Sequence, residues 1–260
     1  MAIILEGQLL TLIIFVIVMV FSGISMTLAR MGKLGVQVQR IPAIESIDEA
    51  IERCVERGRP LLYLVGGTLS GRSAPTTFCN LDVVSRLAER LSSLGCPLLT
   101  AVSQAESISI ATDTVRSGFT AGGHPEAFDV QDVRWWSDEW TSYYSGVLTW
   151  LYDRRPGAML MMSGLGWGGA MISHDTHKID CLLIGADVGI TSLSLSYLGP
   201  DVLIMMEELY ATAAYLTKDP VETSVLFTGD YVKFIWLALA ILGVIAATAG
   251  STVIANLFTM

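Results

Sequence analysis

"LYLVGGTLSGRS", Leu62 to Ser73, decides how this chain folds. An apolar run, Leu61–Val65, ends abruptly in a glycine-rich turn. A run that is apolar throughout, rather than alternating, is what a strand buried on both faces needs. The turn carries Gly66-x-x-x-x-Gly71-Arg72-Ser73, one substitution from a phosphate-binding P-loop. Three features argue against that reading. Arg72 is a planar, bulky stand-in for the P-loop lysine. "APTTFC", residues 74–79, has a poor helical pattern, and the convincing helix is expected only from an N-cap at Asn80. No acidic residue clearly closes a strand to hold magnesium, because Asp187 is read as lying past a Gly-Ala turn.

Five more apolar runs follow: Pro97–Val102, Val133–Trp136, Ala158–Met162, Cys181–Ile184 and Val202–Met206. Helical patterns separate them. "AIESIDEAIERCVERG" places Ile44, Ile47, Ile51 and Val55 on one face, and Gly58 stops it. "NLDVVSRLAERLSSLG" carries a stripe of Val83, Val84, Leu87 and Leu91 ending at Gly95. "SDEWTSYYSGVLTWLYDRRP" is expected to be capped by Ser137 or Asp138. Strand–helix alternation predicts an α/β fold: a Rossmann-like, mostly parallel sheet with helices on both faces. A last helix, "EELYATAAYLTKD", then leads through Pro220 and a short linker to the C-terminal apolar segment.

In such sheets ligands bind beyond the carboxyl ends of the strands. The segments after the six runs are "GGTLSGRS", "SQAES", "SDE", "SGLGWGGA", "GADVG" and "EE". They gather small and polar residues at one edge. The ligand-binding candidates are therefore Gly66, Gly67, Ser70, Gly71, Arg72, Ser103, Gly164, Gly166, Gly185, Asp187, Glu207 and Glu208. Gly164–Gly169, "GLGWGG", comes nearest to a dinucleotide fingerprint, but it follows the fourth run and lacks the later acidic residue. His174 and His177 share a helix face near Asp175 and Asp180, without the His-Glu-x-x-His spacing. They read as a solvated helix end, so no metal and no cofactor are expected. No Gly-x-Ser-x-Gly elbow is present, so no serine nucleophile can be assigned.

Two segments, "LLTLIIFVIVMVFSGISMTLA" (Leu9–Ala29) and Phe234–Leu257, contain no charged residue. Each is long enough for the roughly 20 residues that cross a bilayer. The first lacks a basic start, which favours an uncleaved anchor over a signal peptide. Arg30, Lys33 and Arg40 follow the first span and Lys233 precedes the second. The positive-inside rule then places 31–232 in the cytoplasm and both termini outside the plasma membrane. The expected organisation is an anchor over 1–30, an α/β domain over 31–232 and a membrane helix over 233–260 flanking it. Gly243, Ala247 and Ser251 recur every four residues, a spacing that suits close helix packing within the chain or in a homo-oligomer.

Mean hydropathy is +0.55, and the apolar excess sits at the two ends. A net charge of -9 argues against nucleic acid as a partner. The four cysteines are scattered, without a Cys-x-x-Cys pair, and are expected to be reduced.

"RIPAIESIDEAIERCVERGRPLLYLVG" and "PDVLIMMEELYATAAYLTKDPVETSVLFTGDYVKFIWLALAILGVIAATAG" resemble the two ends of a domain-of-unknown-function family of bacterial and archaeal membrane proteins. The resemblance is looser over the centre, and it implies a fold and two anchors but no chemistry. The sequence therefore favours a membrane-anchored ligand-binding or scaffold module that oligomerises or joins a membrane-protein partner. One alternative is an enzyme on a small or lipid-derived substrate, with Glu207 or Glu208 as acid/base. The other is an accessory subunit of a transporter or channel complex.

Overall fold

A computed structural model of the chain describes residues 9–33, 41–162, 166–190 and 192–248. It divides into two units. One comprises Met1–Val38 with Lys218–Met260, and the other is Gln39–Thr217.

The second unit holds six strands: β1 (Leu61–Val65), β2 (Leu98–Val102), β3 (Val133–Trp135), β4 (Ala158–Met161), β5 (Leu182–Asp187) and β6 (Val202–Met205). All six expected runs are strands. They pair in parallel in the order β3-β2-β1-β4-β5-β6. The helices of this unit are α2 (Pro42–Arg57), α3 (Ala74–Ser93), α4 (Ile108–Ala121), α5 (Trp140–Arg154), α6 (Gly166–Lys178), α7 (Leu193–Ser196) and α8 (Glu208–Thr217).

The strand order explains the two layers. From β1 the chain steps outward to β2 and β3; it then returns past β1 and steps the other way through β4 to β6. Right-handed crossovers in opposite directions put their helices on opposite faces. Side chains from α2, α3, α4 and α8 accordingly meet Leu61, Tyr63 and Val65 on one face of the sheet. Leu62 and Leu64 point to the other face, against Val147 and Leu151 of α5 and Ile172 of α6. β1 is buried at every position because both faces are covered.

Three local expectations are corrected. α2 buries Ile44, Ile47, Ile51 and Cys54, while Val55 is 39% exposed, so the stripe turns toward Cys54 in its last turn. β5 does not stop at Ile184. Gly185, Ala186 and Asp187 continue it, paired with Leu203, Ile204 and Met205 of β6. β4 reaches only to Gly185, opposite Met161, so β6 alone holds Ala186 and Asp187 in the ladder. Finally, the residues after α8 are not a linker. Only Lys218 and Asp219 separate α8 from α9 (Pro220–Thr248), where proline suits the first turn and the Asp219 carboxylate accepts from Val221 N at 2.7 Å.

In the first unit, α1 (Leu9–Arg30) and α9 pack antiparallel. Ser25 and Thr228 share a hydrogen bond of 2.7 Å, and Phe21 lies against Phe227 and Tyr231. Ser25, Ser224 and Thr228 are buried in this contact. Beyond it the helices present apolar side chains outward: Phe15, Ile17 and Met19 from α1, and Phe234, Trp236 and Val244 from α9. Leu12–Arg30 and Pro220–Ile245 are both long and apolar enough to cross a membrane. No close neighbour would meet a Cβ at Gly243. The side chain of Ala247, and Ser251 altogether, lie outside the described residues.

Candidate functional site

The strand order reverses between β1 and β4, and at their carboxyl ends there is a cavity of about 180 Å³. A reversal point in a doubly wound sheet leaves a crevice, because the helices following neighbouring strands depart to opposite faces. Leu64 and Met161 end the strands beneath it; Gly66, Gly67, Ser103 and Gln104 come from the loops after β1 and β2. Asp138, Trp140, Tyr143 and Tyr144 supply the remaining wall.

The loop after β1 is fixed by its own hydroxyls. Gly67 has φ +93°, and a Cβ there would stand 2.4 Å from Thr77 Oγ1. Only glycine meets both constraints. Thr77 donates to the Thr68 carbonyl at 2.9 Å, and the Thr68 and Ser73 hydroxyls share a bond of 2.7 Å. These bonds let α3 begin at Ala74, directly on a 3-10 turn over Gly71–Ser73. The late helix start expected at Asn80 is therefore wrong. Pro75 occupies the first turn, and the β-branched Thr76 and Thr77 are buried there. Asn80 is not a cap but a fully buried helix-interior residue, whose carbonyl accepts from Tyr63 OH at 3.0 Å.

The helix start is thus in the right place for a phosphate loop. The groups a nucleotide would use are nevertheless engaged. Leu69 N donates to Glu106 Oε1 at 2.7 Å, and Ser73 Oγ is bonded to Thr68. Ala105 N, at the start of the next loop, donates to Asp138 Oδ1 at 2.7 Å, and Trp135 Nε1 donates to the same oxygen at 2.9 Å. Two of the chain's own carboxylates therefore sit where anions would be held. A further anion would meet their charge. Ser70, Gly71 and Arg72 are exposed and do not line the cavity.

α5 presents the aromatic wall. Its N-cap is Glu139, not Ser137 or Asp138: the Glu139 carboxylate accepts from Thr141 N at 3.1 Å and Ser142 N at 2.8 Å. A bond from the Thr141 hydroxyl, followed by these amides, lowers the Glu139 pKa to about 2. Ser137 instead braces the turn through Glu139 N, and Asp138 is left to hold the neighbouring loop. Tyr143 donates to the Ala101 carbonyl at 3.2 Å. Burial pushes its hydroxyl well above the usual tyrosine value, and it remains a donor. Burial, then the nearby Asp187 carboxylate, raises Tyr144 in the same way. The Tyr144 ring lies against the backbone of α6, where a Cβ at Gly168 would fall 2.0 Å from it.

Of the residues singled out from sequence, Gly66, Gly67 and Ser103 meet at the cavity. Gly166 opens α6, and Gly164 lies outside the described residues. Gly185 belongs to β5. Asp187 closes that strand with its side chain turned onto the chain itself: it accepts from Gly189 N at 2.8 Å, from Ser192 Oγ at 2.9 Å and from Ser196 Oγ. Glu208 accepts from Met205 N at 2.9 Å and so secures the start of α8. Neither it nor Glu207 lines the cavity. Asp175, Asp180 and His177 are bound to Lys178, to Arg53 and Arg57, and to Asp201 respectively.

Gln104, Asp138, Trp140, Tyr143 and Tyr144 were missed. Gln104 and Asp138 lay inside the strand-end segments already picked out, so position could have found them. The tyrosines read as an ordinary helix face, and only the crossover places them at the β1 edge.

No curated protein and no solved structure matches the chain. A family model described as "Domain of unknown function (DUF6754)" matches residues 2–258, nearly the whole chain, and the chain belongs to that family.

Proposed function

We propose that this chain is a membrane-tethered binding module that holds a small, ring-bearing, uncharged or cationic molecule at the end of β1. The observation that carries this is the cavity at the reversal of strand order, with its aromatic and carboxylate walls. At about 180 Å³ it lies below the usual range of small-molecule pockets, which suits a single ring system rather than a dinucleotide. Trp140 and Tyr144 offer ring faces that attract cations and stack on planar molecules. Ala105 N and Trp135 Nε1 both donate to Asp138 Oδ1, which leaves Oδ2 to accept from a ligand N–H. Gln104 adds an amide that can donate or accept. With Glu106 and Asp138 holding the loop amides, phosphorylated ligands are disfavoured.

A thermal-shift screen of the full chain in detergent tests this. A non-phosphorylated ring compound at 100 times its Kd is expected to stabilise the α/β unit by about 2.7 kcal/mol. The gain should vanish in Trp140→Ala and in Gln104→Ala; Trp140 is half exposed and meets the core only edge-on at Tyr144. Stabilisation only by phosphorylated compounds, or equal stabilisation of both variants, would refute the reading.

The proposed orientation has the α/β unit in the cytoplasm, because Arg30, Lys33 and Lys233 flank the apolar spans on the side of that unit in the sequence. A protease added to intact cells should then leave the α/β unit uncut, and should cut it in opened vesicles. Cleavage within Pro42–Thr217 in intact cells would reverse the topology.

A further inference from the structure

The opposite, amino-terminal edge of the sheet carries a feature that the cavity does not use. Cys54 lies in the last turn of α2, which ends where Gly58 takes φ +61° and the chain turns through Arg59 and Pro60 into β1. Cys96 follows the turn after α3 and leads through Pro97 into β2. β1 and β2 are parallel neighbours starting in register, Leu61 opposite Leu98, so the residues preceding them converge. Cys96 Sγ lies 3.4 Å from the Arg59 carbonyl, and Cys54 Sγ lies 3.6 Å from the next carbonyl, that of Pro60. The two thiols are therefore neighbours at the strand starts, close enough for each to shift the other's titration. Both are free and buried. Gly157, at the start of β4, closes the other side: a Cβ there would stand 3.1 Å from Cys54 Sγ.

We propose that Cys54 and Cys96 are a redox-active dithiol that closes to a disulfide by exchange with a small-molecule disulfide such as that of glutathione. The pair is chemically asymmetric. The neighbouring Cys96 thiol, then burial, raises the Cys54 thiol above its usual range, and Cys54 is fully enclosed where Cys96 is 6% exposed. Cys96 is therefore the attacking sulfur, because thiolate is the nucleophile. It sits between the exposed Gly95 and Pro97, so a small opening of this turn would admit a reagent to it.

Exchange runs in two steps. The Cys96 thiolate attacks one sulfur of the reagent, its S–S bond breaks, and one glutathione thiolate leaves. Cys54 then loses its proton and attacks the Cys96 sulfur, and the second glutathione leaves from Cys96. Two protein thiols lose two electrons, the reagent gains them, and the two thiol protons end on the two glutathiones. The product ties the end of α2 to the start of β2. The other two cysteines are internal controls. Cys181 is pushed up to about 12, chiefly by burial, and Cys79 donates to the Leu209 carbonyl on a different part of the core.

The test uses the purified full chain, reduced and then exposed to glutathione disulfide in its native state. Free thiols are alkylated after acid quenching, and the digest is read by mass spectrometry. A Cys54–Cys96 linked peptide pair, two hydrogens lighter than its parts, is expected, with Cys79 and Cys181 alkylated. In Cys54→Ser, glutathione should instead remain on Cys96. Recovery of both Cys54 and Cys96 as alkylated thiols overturns the proposal, as does a link that joins Cys79 or Cys181 instead.

Discussion

Gly118→Val is expected to destabilise the α/β unit by about 3 kcal/mol, the upper end of what overpacking costs. Gly118 lies on α4 where that helix touches α3. A Cβ there would stand 2.6 Å from the Ala88 Cβ and 2.6 Å from the Ser85 carbonyl oxygen. One turn on, a Cβ at Gly122 would stand 2.4 Å from the Glu89 carbonyl oxygen. The carbonyl oxygens are backbone and the Ala88 Cβ is fixed to it, so none of them can rotate away as a side-chain tip can. The helices would have to separate. Val84, Leu87, Val115 and Phe119 share the core cluster beneath the pair, and separation opens voids around them. A urea titration followed by circular dichroism checks the prediction. Gly118→Ala should fall between wild type and valine. A valine variant with an unchanged midpoint would show that the α3–α4 contact is looser than described.

Asp187→Ala should cost about 3 kcal/mol, because removing a buried charged acceptor leaves its donors unsatisfied. Asp187 is 2% exposed, and three donors converge on it from the segment that follows β5. Ser196 is itself fully buried, so without the carboxylate its hydroxyl keeps only the longer bond to the Ser192 carbonyl at 3.1 Å, as Ser192 keeps only the Gly189 carbonyl. The Asp187 backbone carbonyl also accepts from Met206 N at 2.8 Å, which ties the end of β6 to the same point. The loss should therefore be local first: amide exchange between β5 and β6 should accelerate before the rest of the sheet responds. Asp187→Asn keeps one carbonyl acceptor and should lose less. An alanine variant with unchanged exchange over 188–200 would mean that this segment is held by other contacts.

The strands were legible because buried parallel strands must be apolar over their whole length. Leu61–Val65 and Ala158–Met161 could hardly be anything else. The end of β5 was not. Gly185-Ala186-Asp187 looks like a turn, and its strand character comes from pairing with β6, which sequence does not display. The start of α3 was misread for a related reason. "APTT" has low helical propensity, but Thr77 and Ser73 anchor it to the glycine loop through bonds made only in the folded chain. At the site, glycine and serine after β1 and β2 announced a strand-end pocket. The Tyr143 and Tyr144 wall did not show, because α5 follows β3 in sequence but crosses back over the sheet to stand beside β1.

The element types, the parallel α/β class and the two apolar helices at the ends could all be read before any contact was known. Those follow from local hydrophobic pattern and length. The strand order came from the folded chain, and with it the cavity at the reversal, the carboxylates that occupy the loop amides and the meeting of Cys54 with Cys96. These features join residues far apart in the chain, and they arise from which strand lies beside which.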